Sequence, residues 1–397
     1  MLLAQSTKNR KKQIKKLANE MNKRNDRLLP VVSPIIDLMD FMLEDEEIEY
    51  LTKLNTSDYS YDHLLQLSDK PTDKFESFMD VLLKKGFIMV NVDEGGIEYF
   101  GLSPIIVGWI EMAEYYHRGR TNEEQFQYKL NELFKYFRKF NVNPLRSLVN
   151  RFGPKVVKAT QEVLLYHPEN GKRKIPIDKK ILHPGYEIHP HKTINDLIEE
   201  RAEKDAIYAA GCVCRNVQKG LGNPCSFDIP VDDSCLFFGD RGFGYTAKRA
   251  GYGRKISKEE ARDILQKTSE KGAIHAVFHE EDDLSTRSEI ALCNSCLDCC
   301  GLLRGYNLGS MISNYRCYYY SRVADLKLCV GCGKCVKHCP TLAISLHNDK
   351  VFINKDRCIG CAQCTIQCPQ DGVLTLVPET RDVMLPWLTK SERRFSA

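Results

Sequence analysis

Between residues 34 and 104 the apolar positions keep a helical rhythm and then change to an alternating one. "PIIDLMDFMLEDEEIEYLTKL" and the shorter "YSYDHLLQLS" both fit helices. A third stretch, "TDKFESFMDVLLKKG", sets Phe75, Phe78, Met79, Leu82 and Leu83 on one face and stops at Gly86. "FIMVNV", the turn residues Asp93-Glu94-Gly95-Gly96 and "IEYFGL" then predict a β-hairpin. Residues 105–165 return to helical spacing, with aromatic and leucine positions three and four apart in "NEEQFQYKLNELFKYFRKF" that read as core. Residues 166–193 form a loop rich in Pro, Gly and His. Its His183, His189 and His191 lack a carboxylate or cysteine at ligand spacing and are expected to be exposed rather than metal ligands.

Three helices followed by a hairpin resemble a winged-helix domain, here over residues 31–104. A DNA reader needs a basic recognition helix. The candidate, Thr72 to Lys85, sets Lys74, Lys84 and Lys85 against Asp73, Glu76 and Asp80, a net charge of zero. A structural or partner-docking role is therefore expected ahead of DNA binding. The basic charge lies elsewhere, in an arm over residues 1–30. Residues 8–27 hold nine Lys or Arg against Glu20 and Asp26, while the whole 397-residue chain carries only +4. Ile14, Leu17, Ala18 and Met21 recur there at helical spacing, which suits either a solvated helix or one docked on an acidic partner.

No apolar run approaches the roughly 20 residues of a bilayer span. The first residues place a dense basic run after only a few apolar ones, the reverse of a signal peptide. A cytoplasmic location is expected. In that reducing setting the seventeen cysteines, all between Cys212 and Cys368, are metal ligands or redox groups rather than disulfides.

Residues 329–340, "CVGCGKCVKHCP", and 358–369, "CIGCAQCTIQCP", both read C-x2-C-x2-C-x3-C-P at a constant offset of 29. The repeat resembles the bacterial-type ferredoxin with two [4Fe–4S] clusters, over residues 322–378. In that motif three thiolates hold three iron corners from one loop and the fourth cysteine, before proline, caps the other cluster. The resemblance implies one cluster on Cys329, Cys332, Cys335 and Cys368, and another on Cys358, Cys361, Cys364 and Cys339. Between the quartets, "LAISLHNDKVFIN" fits two short strands about Asn348-Asp349. Zinc sites usually close with two well-separated pairs, which a repeated three-plus-one pattern does not match.

Nine cysteines remain: Cys212, Cys214, Cys225, Cys235, Cys293, Cys296, Cys299, Cys300 and Cys317. Cys293, Cys296 and Cys299 have the spacing of a single-loop clamp for three iron corners, completed by a distant residue such as Cys235 or Cys225. Cys300 would then serve a second site with Cys212, Cys214 and a remaining cysteine. One cluster with buried free thiols, or a structural zinc, are the alternatives. Cys300 or Cys317 as a reactive thiol would instead suit a reductase centre. Arg215, Arg254 and Lys255 could hold an anion, though surface charge is the simpler reading of each. The glycines near "GDRGFGYTAKRAGYGRK" do not make a phosphate loop, because no Gly-Lys-Ser/Thr follows. "SKEE" (Ser257 to Glu260) is a capping box.

The order CxCR, C…CLFFG, GxGRxISxEEA, CNxC and a ferredoxin pair resembles a family of 4Fe–4S ferredoxin-type proteins of anaerobic bacteria and archaea, over about residues 30–378. Some members of that family carry further cysteines where this chain has Ser295 and Asp298, and the resemblance implies that these two positions are dispensable. The expected fold is α+β and multidomain. It comprises the basic arm (1–30), the winged-helix-like domain (31–104), a helical connector and loop (105–193), a mostly helical cysteine-rich domain (194–321), the two-[4Fe–4S] ferredoxin (322–378) and a tail (379–397). One or two further [4Fe–4S] clusters are expected in the middle domain. The expected function is low-potential electron transfer to or from a partner oxidoreductase. The alternatives are a redox-sensing regulator acting through the winged helix, and a reductase with an open-site cluster.

Overall fold

The computed structural model describes residues 2–24, 31–93, 95–136, 186–203, 206–239, 242–279, 290–309, 313–385 and 388–395. His183 lies outside them. The chain divides into two compact units, Met1–Leu133 with Asn195–Gln266 and Ser288–Cys293, and Phe134–Ile194 with Lys267–Arg287 and Asn294–Ala397. No helix among the described residues is long and apolar enough to cross a membrane.

In the first unit the basic arm is a helix, Leu2–Asn22, and its apolar stripe is not left to solvent. Ile14, Leu17, Ala18 and Met21 are all buried. Burial of Ile14, Leu17 and Met21 contributes roughly 1.5–3 kcal/mol each. The acidic partner of the arm is its own unit. Arg10 bonds Asp40 at 2.6 Å, Lys11 bonds Asp37 at 2.8 Å and Arg24 bonds Asp58 at 2.8 Å.

The stretch expected as one helix from residue 34 is two, Ser33–Met42 and Asp45–Leu51. Glu44 stands between them in extended geometry and forms a reciprocal capping box with Glu47. Helices Tyr61–Ser68 and Thr72–Lys84 follow, and then an antiparallel hairpin with Ile88 opposite Leu102 and Val92 opposite Glu98. On helix Thr72–Lys84, Lys84 pairs with Asp80 at 2.7 Å, and the next residue, Lys85, is buried against Glu47 at 2.8 Å.

Residues 194–321 were expected to be mostly helical, yet strands supply much of their buried framework. Ile207–Ala210 is flanked by Cys235–Phe238 and Gly253–Ile256, and Cys235–Phe238 pairs in turn with Ile290–Ser295, all antiparallel. The apolar runs "IYAA" and "CLFF" are too short and too uniformly buried to show a period, so the sequence alone does not separate strand from helix there. Helix Gly242–Arg249 packs on this sheet through Gly244, where a Cβ would come within 2.5 Å of Phe237 Cβ.

The second unit is built on a long antiparallel ribbon, Ser313–Val323 with Leu374–Leu385, whose register shifts between Pro378 and Arg381. Tyr186–His189 runs parallel to the first of these strands and antiparallel to Ile274–His279. The ferredoxin segment adds the hairpin Ile344–His347 with Lys350–Ile353. Its turn residues Asn348 and Asp349 both take positive φ, at 49° and 56°, as the tight two-residue turn between these strands requires. The C-terminal residues pack back on this segment, with Arg394 donating to the carbonyls of Val336 and Lys337.

His189 is buried rather than exposed. Its Nε2 lies 3.0 Å from Glu187 Oε2 and its ring stacks on Tyr318 at 4.9 Å. His191 is half-buried with its ring 5.8 Å from that of His275.

Candidate metal centre

Two hollows in the ferredoxin segment are lined by crossed sets of cysteines. One is bounded by Cys329, Cys332, Cys335 and Cys368 with Val330, Leu346 and Val351. The other is bounded by Cys358, Cys361, Cys364 and Cys339 with Ser321 and Ile344. The residues fit the cofactor the motif implies: four thiols facing a space among largely apolar side chains suit a cubane cluster.

Local backbone geometry makes these loops. Gly331 and Gly360, equivalent in the repeat, take φ of 69° and 66°. A Cβ on Gly360 would stand 2.1 Å from Tyr319 O, and one on Gly331 2.5 Å from Asp349 O. Only glycine allows both the left-handed turn and that approach. The second equivalent pair, Gly333 and Ala362, has φ of 72° and 65°, so Ala362 holds a conformation that glycine adopts without cost.

The two quartets differ in exposure. Cys332 is exposed and Cys329 and Cys368 are partly so, whereas Cys339, Cys358, Cys361 and Cys364 are all buried. Burial pushes the thiols of Cys358, Cys361 and Cys364 up, Cys364 to about 12. Backbone N–H groups point at inner sulfurs: Ser321 N to Cys358 Sγ and Ala343 N to Cys339 Sγ, both 3.3 Å. Such donors favour the more reduced, more negative state of a cluster. Gln363, between two inner ligands, was not singled out from sequence. It is fully buried and donates to Ser269 O at 3.3 Å and Ala273 O at 2.5 Å, tying the inner loop to the rest of its unit.

The first unit gathers three further cysteines. Ala210 faces Cys235 across one strand pair and Cys235 faces Cys293 across the next, so Cys212, just past Ala210, joins them. Cys212 donates a thiol hydrogen bond to Cys235, which raises its pKa together with burial. Cys235 accepts that bond, which lowers its pKa, but donation to Cys293 and burial leave it well above the ordinary value. Helix Val213–Gly220 begins beside this trio and is held by Tyr115, whose hydroxyl donates to Gly211 O at 2.6 Å, and by an Asn216–Glu114 hydrogen bond. Its Arg215 is not surface charge. It is 1% exposed, donates to Pro230 O at 2.7 Å and acts electrostatically on Cys212 and Cys235. Its positive charge favours the thiolate forms of Cys212 and Cys235. Arg254, by contrast, is a surface residue paired with Asp233 and Glu260. Lys255 is exposed.

Cys214 is half-buried on helix Val213–Gly220, and Cys225 is half-buried in the loop that follows it. Cys300 is half-buried at the start of helix Gly301–Asn307. Cys317 is fully buried, its Sγ 3.6 Å from Tyr315 O, and burial drives its pKa far up. In the second unit Cys296 and Cys299 come together with Asp298, the position read as dispensable: their ligand atoms lie within 4.8 Å of one another.

Residues 321–369 match the family described as 4Fe-4S dicluster domain. No curated protein and no solved structure matched the chain. The chain is thus an iron–sulfur protein with 4Fe–4S cluster binding in its C-terminal part.

Proposed function

We propose that this chain is an electron-transfer protein, or the electron-transfer subunit of an oxidoreductase, carrying low-potential electrons through two ferredoxin clusters and a further cluster in the cysteine-rich middle. The reading rests on the pair of four-cysteine hollows. Clusters bound there supply one-electron transfer at low potential. The chain's own residues set the direction of traffic. The outer quartet, with exposed Cys332, is the port, and the buried inner quartet is the relay. Around the port, Val330 is 62% exposed, and Leu326 and Leu328 are also exposed. Apolar side chains around an exposed ligand loop suit brief docking of a redox partner.

For the third cluster the proposed ligands are Cys212, Cys235 and Cys293, with Arg215 balancing its charge. Cys214, Cys225 and Cys300 are the candidates for completing the middle-domain ligand set. The regulatory alternative gains no support from helix Thr72–Lys84, where Lys84 is paired and carries no surplus charge toward a phosphate.

The test is rapid mixing of the dithionite-reduced full chain with an oxidised one-electron carrier protein. Val330→Glu should slow the second-order step about tenfold or more, as loss of roughly 1.4 kcal/mol in docking would, with iron content unchanged. An unchanged rate would remove this surface as the port.

A further inference from the structure

The first cysteine of each ferredoxin quartet carries a cation on its backbone carbonyl. Lys350 Nζ donates to Cys329 O at 2.7 Å, and the Arg381 guanidinium donates to Cys358 O. Cys329 and Cys358 are equivalent in the repeat, 29 residues apart. The two cations are not. Lys350 opens the strand Lys350–Ile353, directly after the turn at Asn348 and Asp349, whereas Arg381 comes from the strand Leu374–Leu385. The register of that strand shifts between Pro378 and Arg381, and past the shift Arg381 stands opposite Cys317. A bulge of this kind re-aims the side chains beside it.

Surroundings decide how strongly each charge acts. The Arg381 side chain is 16% exposed. Glu379 stands 3.9 Å from Arg381 Nε, while its tighter bond, at 2.7 Å, is to Lys355. Two cations thus share one carboxylate, which leaves net positive charge beside the inner ligand loop. Arg381 acts electrostatically on the thiols of both Cys358 and Cys317. Around the outer quartet Cys332 is exposed and Cys329 partly so, and solvent there weakens the field of Lys350.

On reduction a cluster takes one electron from its donor and gains one unit of negative charge, with no bond made or broken. A fixed cation beside the ligands favours that state, more strongly where water is excluded. We propose that Arg381 and Lys350 each raise the reduction potential of the adjacent cluster, inner and outer respectively, with Arg381 having the larger effect. The proposal rests on the two-cluster reading above. Burial of the inner quartet disfavours the added charge. Arg381 offsets this and keeps the relay within reach of electrons entering at the exposed port.

The test is an anaerobic redox titration of the full chain with dithionite, followed by electron paramagnetic resonance. Arg381→Gln should move one ferredoxin midpoint negative by about tenfold in the reduced-to-oxidised ratio, or about 59 mV for one electron. Lys350→Gln should move the other midpoint, by about threefold in that ratio or less. Arg381→Lys should keep most of the wild-type value, and iron and sulfide should stay at the wild-type level in all three. Unmoved midpoints in Arg381→Gln with its iron intact would overturn the proposal and leave the two-cluster reading standing. Fewer than two reducible ferredoxin signals in the wild type would overturn both. If Arg381→Gln binds no iron, Lys350→Gln decides: one midpoint moved supports the proposal, and neither moved overturns it.

Discussion

Cys332 and Cys361 occupy the same place in the repeated motif, 29 residues apart, yet Cys332 is exposed and Cys361 is buried. The duplication therefore yields two unlike sites. A chelator with mild oxidant should strip iron in two phases, the fast one carrying about four irons from the quartet of Cys329, Cys332, Cys335 and Cys368. Iron release followed by absorbance, with Cys332→Ser abolishing the fast phase only, checks this.

The glycines of the cluster loops give a second contrast. Gly360→Ala forces a Cβ against Tyr319 O in a left-handed backbone. It should cost at least about 2–3 kcal/mol and the inner cluster with it. Ala362→Gly, at φ of 65°, should relieve strain and raise stability by up to about 1 kcal/mol. Thermal unfolding of the anaerobic proteins should rank them in that order, with the wild type between.

The buried guanidinium of Arg215 predicts selective damage. Arg215→Gln removes the positive charge beside Cys212 and Cys235 while leaving the ferredoxin quartets untouched. Electron paramagnetic resonance should show one signal lost or shifted and the ferredoxin signals retained. Loss of every signal would mean that the arginine serves the fold alone.

The quartets were legible because their chemistry is local: the spacing and closing proline of each motif lie within twelve residues, and the repeat follows at an offset of 29. The middle sites were not, because strand register makes them. Cys235 meets Cys293 through a pairing between strands 58 residues apart, which no spacing rule reports. The sequence grouped Cys293 with Cys296 and Cys299 and named Cys235 or Cys225 as the distant residue completing the set, and the strand pairing sets Cys293 beside Cys235. Asp298 was passed over because it was judged by what relatives carry there, not by its place between two cysteines. Arg215 read as surface charge since nothing in "GCVCRNV" signals that this helix is buried. The break at Glu44 was hidden in an acidic run that favours helix on both sides.

His275 carries a pH prediction. Burial, opposed by its 2.7 Å hydrogen bond with Asn294 and reinforced by His191 and His189, holds its pKa at about 3 against the ordinary 6.5. The unfolded chain binds the proton first, so the contribution is complete above pH 6.5 and is lost as pH falls toward 3. Between those limits stability should drop by on the order of 1 kcal/mol per pH unit from this residue. His275→Gln should flatten that part of the acid limb in denaturant titrations of the metal-loaded protein. Parallel curves for the two proteins would contradict it.

The central claim is that three clusters, two in the ferredoxin and one on Cys212, Cys235 and Cys293, make up the electron path. Acid-labile sulfide of the anaerobically purified full chain, compared with Cys235→Ser, tests it most directly. The account predicts about twelve sulfides per chain in the wild type and about eight in the variant. About eight in both would contradict it, leaving a two-cluster ferredoxin and no third cluster in the middle of the chain.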